Sequence, residues 1–452
     1  MERHRPIVSV TRRLWMVLAF AGVFGTAVAA PARDPSAPTD SAATVITLAN
    51  GLDLLLAPDP AATAVNVAAW IDAGVRYERP GIVGISHLVE HITSGGRSGG
   101  GADSDRRRIE AEGGSSAAYT AADYTCYSHT VPREAIETVL KLEAARLAIE
   151  PTPAMLEAAR ASVRAENRSR RGNPIERSLQ SLSAAAFTKH PYRWPVLGND
   201  RDLESITLEA CRAFLRARYT PDHVLITVVG DFDPAQVQAL ARRTFEPIRT
   251  RGENSAAIDE PVPTAPRRAT VASDFGLRLL AVGWTIPPAA VDAPTLDLIA
   301  AVLSQGPLAR LNQDLVSGDG RCRFVQAGRD GRHDATVFWG LAALEPEADS
   351  VSVENRLISG IESLAQAPVP DDELSRARRW LELSLLFGRE TTRDRGQAFG
   401  VAQVVDGDWH VANRRLERLR SLTPADLQKA ARALTAARRT VVWLRPAEGG
   451  RP

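Results

Sequence analysis

The chain has 452 residues, of which 44% are hydrophobic and 24% charged, an ordinary globular composition. One hydrophobic core rarely serves more than about 250 to 300 residues, so this length excludes a single small domain and predicts two domains. The formal net charge is +1 and the arginines are dispersed, so nothing in the charge pattern points to a nucleic-acid partner.

The N-terminus has the parts of a secretory signal peptide. A basic start, an apolar stretch from Leu14 to about Val28 and a small-residue cleavage signal predict that residues 1–30 are removed on export. The apolar stretch is short and rich in Gly and Ala, which disfavours a permanent membrane span. Arg12 and Arg13 faintly resemble a twin-arginine signal, but paired arginines are common at this place. We expect a periplasmic protein, exported by the Sec route rather than the twin-arginine route.

After the signal peptide the sequence predicts a disordered segment, called the lead, and then two strands. Residues 31–44 are rich in Pro, Ser and Ala and are predicted to be disordered. The stretches "ATVITLANGLDLLLAPDP" and "VNVAAWIDAG" that follow are short, apolar and rich in β-branched residues, as strands are. Long helical patterns come after them, so the first domain, residues 45–250, is predicted to be α+β.

Residues 84–92, "GISHLVEHI", place two histidines and a glutamate on one predicted helix. At 3.6 residues per turn His87 and His91 share a face, with Glu90 beside them, so both imidazoles could bind one metal ion. An apolar face is formed by Ile85, Leu88, Val89 and Ile92. The alternative is a solvated polar face, which is the commoner role of any single histidine. The three residues together, in the H-x-x-E-H spacing of inverzincin peptidases, favour a metal site.

The segment from Ser115 to His129, "SSAAYTAADYTCYSH", alternates small, aromatic and polar residues, as an exposed strand does. It is a plausible platform for a substrate, and an ordinary sheet strand is the alternative.

A catalytic zinc site usually has three protein ligands and one open position, so a third ligand is needed. Residues 156–170, "LEAARASVRAENRSR", are predicted to form a helix, and Glu166 lies near its end. A long stretch of chain separates His91 from Glu166, and a separation of this size has meaning only by comparison with a family.

On these motifs the sequence resembles the pitrilysin/insulinase family of zinc metallopeptidases, especially its shorter, processing-peptidase-type branch. The resemblance covers nearly the whole mature chain. It rests on "HLVEH", on "VRAENR" and on three longer segments at 113–132, 192–234 and 369–386. It implies one Zn²⁺ per chain, held by His87, His91 and Glu166, with Glu90 as the general base.

The resemblance also implies the fold and the substrate contacts. The family has two homologous α/β domains that face each other across a cavity, which makes the fold class α+β with duplicated halves. An edge strand of the first domain pairs with the backbone of an extended peptide, which is recognition by strand addition. The residues that the resemblance assigns to substrate binding are Gly114, Ser116, Ala117, Ala118, Tyr119 and, in the second domain, Arg310.

An internal repeat supports the duplication independently. The segment "LESITLEACRAF" at 203–214 recurs as "LRSLTPADLQKA" at 419–430, and the same offset carries "LITVV" at 225–229 onto "VVWLR" at 441–445. In both copies a threonine, Thr207 or Thr423, precedes a predicted helix as an N-cap would. Residues 251–268 are polar and proline-rich and are predicted to be a linker, with the second domain at 269–448. The counterpart of the H-x-x-E-H helix, near "TLDLIAAVLSQG", lacks metal ligands.

Three positions depart from the family pattern. Ala117 stands where the family often has an asparagine that contacts substrate, and Ala159 stands where it usually has a glutamate. Arg310 is kept, but Arg323, next to Phe324, occupies the place of a tyrosine that stabilises the tetrahedral oxyanion.

We therefore expect an exported zinc endopeptidase for unfolded peptides that works as the zinc-bearing subunit of a dimer. A homologous subunit would supply the missing Arg/Tyr pair, and a homodimer is the alternative. A non-catalytic peptide-binding or scaffold subunit is the competing function, and the complete ligand set disfavours it. A metal-storage role has little support, because no second His/Cys cluster exists. Three cysteines without a C-x-x-C pair predict buried free thiols, although one disulfide could form: Cys126, Cys211 and Cys322.

Overall fold

The computed structural model describes residues 43–95, 104–170, 172–250, 258–287 and 290–447. The predicted signal peptide, most of the predicted lead and residues 251–257 of the predicted linker lie outside them. Among the described residues, no helix combines the length and apolar character needed to cross a membrane. The three cysteines are all buried free thiols, as predicted.

The first half of the chain, residues 43–250, alternates strands and helices. Its described strands are β1 (Thr44–Thr47), β2 (Asp53–Pro58), β3 (Val65–Ile71), β4 (Ser115–Thr120), β5 (Thr125–Val131) and β6 (Val224–Gly230). Its described helices are α1 (Ile85–Ser94), α2 (Ser104–Ala111), α3 (Ile136–Leu147), α4 (Pro153–Arg170), α5 (Pro174–Ala186), α6 (Asp200–Ser205), α7 (Leu208–Arg218) and α8 (Pro234–Phe245).

The second half, residues 258–447, repeats this plan. Its described strands are β7 (Arg267–Ser273), β8 (Leu279–Ile286), β9 (Cys322–Arg329), β10 (Thr336–Leu344) and β11 (Arg439–Pro446). Its described helices are α9 (Ala293–Ser304), a π-helical segment at Asn312–Gly318, α10 (Ser350–Glu362), α11 (Asp371–Phe387), α12 (Thr392–Asp406), α13 (His410–Ser421) and α14 (Pro424–Ala431).

The strand order shows the duplication directly. The first sheet has the order β1-β2-β6-β3-β5-β4 and the second has β7-β11-β8-β10-β9. Without β1 the two orders correspond strand by strand. Each sheet also has one parallel pair at the same place, β2 with β6 and β7 with β11, while its other pairs are antiparallel. The predicted fold class, α+β with two homologous domains, is confirmed.

The repeated threonines act as helix caps in both halves. The Thr207 hydroxyl accepts a hydrogen bond from the backbone N–H of Ala210 at the start of α7. The Thr423 hydroxyl accepts one from the N–H of Asp426 at the start of α14, and the Asp426 carboxylate accepts from the Thr423 N–H in return. These caps satisfy N–H groups that have no partner within the helix, which fixes where both helices begin.

Each half covers one face of its sheet with its own helices and the other face with a helix from the opposite half. On the first sheet, α12 of the second half packs against β3 and β6. There Phe399 is fully buried in a cluster with Trp70 and Val229. The contact is close, because a Cβ built on Gly400 of α12 would overlap the indole ring of Trp70. A residue other than glycine has no room at this position.

The reciprocal contact is made by α5, which leaves the first half and packs on β8 and β11 of the second sheet. Leu182 and Ala186 of α5 are buried there with Val337 and Val442. Each half therefore lends one helix to the other, and neither sheet has both faces covered within its own half.

Buried and half-buried ion pairs accompany this exchange. Arg395 of α12 donates through Nη2 to Oδ2 of Asp59 at 2.6 Å, and both side chains are nearly inaccessible to solvent. Elsewhere on the interface, the carboxylate of Asp334 in the second half contacts two residues of the first half. Nε of Arg76 lies 2.6 Å from it and Nε2 of His190 lies 3.0 Å from it. Since a buried charge without its partner is costly, these pairs favour one relative placement of the halves.

Candidate metal centre

The position of α1 is fixed at its N-terminus by a buried carboxylate. Glu78 accepts hydrogen bonds from the backbone N–H groups of Gly84, at 2.7 Å, and Ser86, at 3.1 Å. Burial raises the pKa of Glu78 to about 7, and the two N–H groups offset only part of that rise. Gly84 has φ +91°, and a Cβ on it would lie 2.6 Å from Cα of Gly198. The chain can therefore turn into α1 only through glycine here.

The predicted amphipathic character of α1 is present in the structure. Leu88, Val89 and Ile92 are buried in the first core, where α1 packs against α4 and its Val163. The opposite side of α1 carries the polar residues: His87 and Glu90 are buried and His91 is half-buried.

Three predicted ligands converge at one point between α1 and α4. The Nε2 atoms of His87 and His91 are 3.1 Å apart. Oε2 of Glu166 lies 3.3 Å from the first of these atoms and 3.4 Å from the second. Among the described residues, this is the group of three His, Cys, Asp or Glu side chains that could hold a metal ion.

These spacings fit zinc. Nitrogen and oxygen ligands lie about 2.0 to 2.2 Å from Zn²⁺, so two ligands of a tetrahedral ion are separated by roughly 3.3 to 3.6 Å. The triangle of 3.1, 3.3 and 3.4 Å is close to that geometry. Two imidazoles and one carboxylate are also a donor set that leaves the fourth position open, as in catalytic zinc sites.

The third ligand is ionised and held in place. Hydrogen bonds from His87 and His91 lower the pKa of Glu166 well below its usual range, and burial opposes this shift only in part. Nη2 of Arg170, one helical turn further along α4, lies 2.8 Å from Oε1 of Glu166. This ion pair leaves Oε2 directed at the two imidazoles. Arg170 is not a ligand itself, but it orients a ligand for metal binding.

Glu90 lies beside the triangle without being part of it. Its Oε2 is 4.0 Å from Nε2 of His87, so it is near the ligands but not coordinating with them. The hydroxyl of Thr120, the last residue of β4, donates to the same Oε2 at 2.7 Å. A carboxylate in this place is suited to move a proton rather than to bind the ion.

A buried polar network lies behind the centre. Arg146 forms a two-pronged ion pair with Glu143, with both distances 2.9 Å, and its Nη1 donates to the carbonyl oxygen of Thr93 in α1. His129 joins Glu143, at 2.9 Å, to the hydroxyl of Ser116, at 2.7 Å. Burial raises the pKa of Glu143, but the Arg146 charge and the hydrogen bonds outweigh it and lower the pKa to about 2.

The residues assigned to substrate binding in the first half lie on or beside β4, an edge strand of the first sheet. Successive side chains alternate between its faces, so Ser116 and Ala118 share the face of Thr120 and Glu90. Ala117 and Tyr119 point to the other face, where the Tyr119 hydroxyl and the Gln397 side chain of α12 are hydrogen-bonded. Gly114 precedes the strand, and a Cβ on it would lie 2.6 Å from a methyl group of Val131.

Ala159 and Arg323, two of the positions that depart from the family pattern, and the retained Arg310 have defined surroundings. Ala159 is buried in the first core, where a glutamate side chain would need a polar partner. Arg310 forms an ion pair with Glu373 of α11 at 2.6 Å, within its own half. Arg323 lies on the edge strand β9 and pairs with Glu345 at 3.3 Å. No tyrosine stands at that place, as the sequence already shows.

The second half has replaced the ligands with other groups. If α1 and α9 are aligned at their last residues, Ser94 and Ser304, His87 corresponds to Asp297. Asp297 is clamped by Arg329, at 2.8 Å, and Arg415, and these charges lower its pKa against the effect of burial. His91 corresponds to Ala301 in the same alignment, so the histidine pair is absent from this half.

Thr120 and Arg170 were missed in the sequence analysis, although both left a signal there. Arg170 lies four residues after Glu166 in a predicted helix, the spacing of helical ion pairs. Thr120 lies two residues after Ala118 in a predicted strand, hence on the same face. The sequence does not show that β4 lies next to α1, which brings Thr120 to Glu90.

Comparisons with known proteins agree over most of the chain. Residues 54–200 match the family model "Insulinase (Peptidase family M16)", and residues 205–381 match the model "Peptidase M16 inactive domain". An uncharacterised zinc protease of Mycobacterium tuberculosis is 26% identical over 434 residues, which is 92% of this chain and 96% of that protein.

Two further proteins are similar to the chain. A probable mitochondrial-processing peptidase subunit beta of Arabidopsis thaliana is 24% identical over 389 residues, covering 77% of this chain and 68% of that protein. The crystal structure of a protease from Helicobacter pylori superposes with a TM-score of 0.83 at 23% identity, over 89% of this chain and 99% of that one. This last likeness shows a shared fold.

Proposed function

Because the chain belongs to the insulinase family of peptidases, M16, we propose that it is a zinc-dependent endopeptidase that hydrolyses unfolded peptides. The convergence of His87, His91 and Glu166, at the spacing that a tetrahedral zinc ion requires, carries this proposal. The zinc proteases among its relatives support the same chemistry.

The residues have separate tasks in the proposed reaction. His87, His91 and Glu166 would hold the ion, and bound zinc supplies a Lewis acid that activates water and polarises the scissile carbonyl. Glu90 accepts a proton of the attacking water on its carboxylate and passes it to the nitrogen of the leaving amine. Thr120 holds Oε2 of Glu90, so the carboxylate need not reorient when the proton arrives.

The edge strand β4 supports a preference for extended peptides. On one side β4 pairs with β5, and on its other side no described strand is paired with it. Its free backbone groups can hydrogen-bond to a peptide that adds as a further strand, whereas a folded protein has no free strand to offer.

A partner subunit and an exported location complete the proposal. Arg323 stands at the place of the oxyanion-stabilising tyrosine and is engaged by Glu345, which supports a second, homologous subunit that contributes an Arg/Tyr pair. A homodimer is the alternative. One relative carries the name of a peptidase subunit, which is consistent with such an assembly. The predicted signal peptide supports the periplasm as the site of action.

Cleavage of a quenched-fluorescent, unstructured peptide tests the proposal. We expect the zinc-loaded mature chain, alone or mixed with a homologous subunit, to cleave the peptide and a chelator to abolish the cleavage. Glu90→Gln should retain zinc but lose about 10²- to 10⁴-fold in kcat, because only the proton-transfer step is removed. Glu112→Gln, which changes an exposed glutamate in the same way, should leave the rate unaltered. Equal rates for the Glu90→Gln chain and the parent would contradict the role of Glu90.

The second candidate is a non-catalytic peptide-binding subunit. It is favoured by the three departures from the family pattern, Ala117, Ala159 and Arg323, and by the name of the model that matches residues 205–381. Zinc-loaded chain that binds the peptide but does not cleave it, with or without the homologous subunit, would establish this alternative.

A further inference from the structure

A cleft of about 550 Å³ lies beside the candidate metal centre in the first half. Its walls are the last turn of α4, one side of α5, the segment 193–199 and the start of α6. The side chains and backbone that line it include Asn167, Arg170, Glu176, Arg177, Arg193 and Arg201. This volume is within the range of sites that hold small ligands or a few peptide residues.

The walls of the cleft are held in place. The buried Asn167 donates through Nδ2 to the carbonyl oxygen of Leu197 at 3.4 Å, which ties the segment 193–199 to α4. Gly198, at φ +68°, is in close contact with Gly84 at the start of α1. Asn173 caps the first turn of α5 with its side chain. The cleft is therefore built into the same framework that positions the zinc ligands.

Arg170 connects the cleft to the metal centre. Its Nη2 lies 2.8 Å from Oε1 of Glu166, and its Nη1 lies 3.4 Å from Oε1 of Glu176 in the cleft. An extended peptide advances about 3.3 Å per residue, so a peptide held at the ligands has side chains within reach of the cleft a few residues from the scissile bond. Arg170 therefore shares its one positive charge between Glu166 and Glu176.

The charge that remains in the cleft is positive. Among the described residues, four arginines and two carboxylates, Glu176 and Asp200, line it. With Glu166, which pairs with Arg170, the surplus is 4 − 3 = 1 positive charge. The side chains of Arg177 and Arg201 are exposed, and no described residue forms an ion pair or hydrogen bond with either guanidinium group. Ala184, Pro195 and Leu197 also line the cleft. Such a site suits a short apolar stem that ends in a carboxylate.

We propose that this cleft is a specificity site that binds a carboxylate of the peptide substrate near the scissile bond, through Arg177 and Arg201. The inference rests on the proposed peptidase function and adds its substrate class, namely peptides with acidic residues. Planar guanidinium groups bind carboxylates with two parallel hydrogen bonds, whereas a lysine or arginine side chain would be repelled. The carboxylate can belong to an Asp or Glu side chain or to the C-terminus of the peptide.

Peptide binding to the zinc-loaded Glu90→Gln chain tests the site without turnover. Four dye-labelled, unstructured peptides separate the sources of the carboxylate: three with capped ends and neutral, glutamate or lysine residues at the centre, and one neutral peptide with a free C-terminus. We expect the glutamate peptide to bind about 3- to 30-fold more tightly than the capped neutral one at low salt. The ratio should fall at high salt, because exposed charges are screened. Tighter binding of the free C-terminus alone would assign the site to the terminal carboxylate.

Charge reversal tests whether Arg177 and Arg201 bind the carboxylate. Arg177→Glu combined with Arg201→Glu should remove or invert the ratio of the glutamate to the neutral peptide. Arg379→Glu makes one such charge reversal at an exposed arginine on α11, away from the cleft, and should keep the parent ratio. Arg177 and Arg201 are both exposed, so unfolding is not expected, and the milder Arg177→Gln with Arg201→Gln provides a second set.

The outcomes separate this inference from the proposed function. Equal binding of the capped neutral, glutamate and lysine peptides, with no gain from a free C-terminus, would overturn the specificity site. So would a ratio that is the same in the cleft variants as in Arg379→Glu. If the chain with Glu90 intact cleaves all the peptides equally, only the specificity site fails. If no peptide is bound or cleaved, the proposed function itself fails.

Discussion

The contact between Thr120 and Glu90 joins the sheet to the metal centre through one hydroxyl group. The hydroxyl donates to Oε2 of Glu90 at 2.7 Å, and the Glu90 side chain is largely buried. Hydrogen bonds to a charged group contribute about 1.5 to 3 kcal/mol, more than those between neutral groups. Thr120 therefore determines how Glu90 is aimed, although it is not expected to contact the substrate.

Replacing Thr120 with valine removes this hydrogen bond at nearly constant volume. We expect kcat of Thr120→Val to fall about tenfold or more with little change in KM, because the general base loses its orientation while the peptide platform stays intact. Thr120→Ser keeps the hydroxyl and should retain most of the activity. Steady-state kinetics with the unstructured peptide provides both constants, and equal losses in the valine and serine variants would count against a positioning role.

At the scale of elements, one buried network holds α1, α3, β4 and β5 together. Arg146 and Glu143 of α3 are fully buried, and the network extends through His129 of β5 to Ser116 of β4 and directly to Thr93 of α1. The charged groups of this network pair with one another. The free-energy cost of burying them is offset only while every partner stays ionised or hydrogen-bonded.

This network predicts a specific sensitivity to acid. The folded-state pKa of Glu143 is about 2, below the ordinary value for glutamate, so the unfolded chain binds the proton more readily. Its contribution is present above about pH 4.5 and is lost as the pH falls toward 2, on the order of 3 kcal/mol. Glu143→Gln should be less stable at pH 7 but lose less stability on acidification than the parent. Denaturant unfolding at pH 7 and pH 3 measures this, with Glu112→Gln as the matched control, and a parallel decline of Glu143→Gln and the parent would refute it.

A second prediction concerns the contact of α12 with the first sheet. Alanine normally stabilises a helix interior by about 1 kcal/mol relative to glycine. Gly400→Ala should reverse that sign and lower the unfolding free energy by about 2 kcal/mol or more, because its Cβ would overlap the ring of Trp70. Gly360→Ala in α10 is the control, since its new Cβ meets only the end of the Leu311 side chain. Stabilisation by Gly400→Ala would mean that α12 sits further from the sheet.

The sequence predicts some of these elements well and others not at all. Helical spacing alone places His87 and His91 on one face, and the constant offset between the two repeated segments predicts the two threonine caps. Glu166 could be named only by resemblance, since it is far from His91 along the chain and spacing over that distance carries no geometry. The polar network was not predicted, because His129, Glu143 and Arg146 form no local motif and meet only after the sheet and α3 have packed.

At the scale of the whole molecule, the exchange of α5 and α12 makes the halves interdependent. The amphipathic pattern of each helix reveals an apolar face, but periodicity does not say which sheet that face covers, so the exchange was beyond prediction from sequence. Residues 45–250 produced alone would lack α12 and leave Trp70 and Val229 uncovered. The second half alone would lack α5.

We therefore expect residues 45–250 and 258–448 to be insoluble or poorly folded when each is expressed alone, and to form a soluble complex when they are expressed together. Exposed apolar surface of this kind drives aggregation. When both halves are present, α5 and α12 cover the apolar sheet faces again. Soluble yield and size-exclusion chromatography report the result. A first half that is monomeric and unfolds cooperatively by itself would show that the exchange is not required.

The exchange also has a consequence in time. The first sheet receives its last strand when β6 ends at Gly230, but α12 begins only at Thr392. A ribosome that adds about 5 to 20 residues per second needs roughly 8 to 30 s to make the chain between these two points. During that interval the nascent first half has all its described strands, but the sheet face that α12 covers stays open. A chain that completes its fold only near the end of its synthesis can be passed to the export machinery before it has folded. This is compatible with the Sec route predicted from its N-terminus.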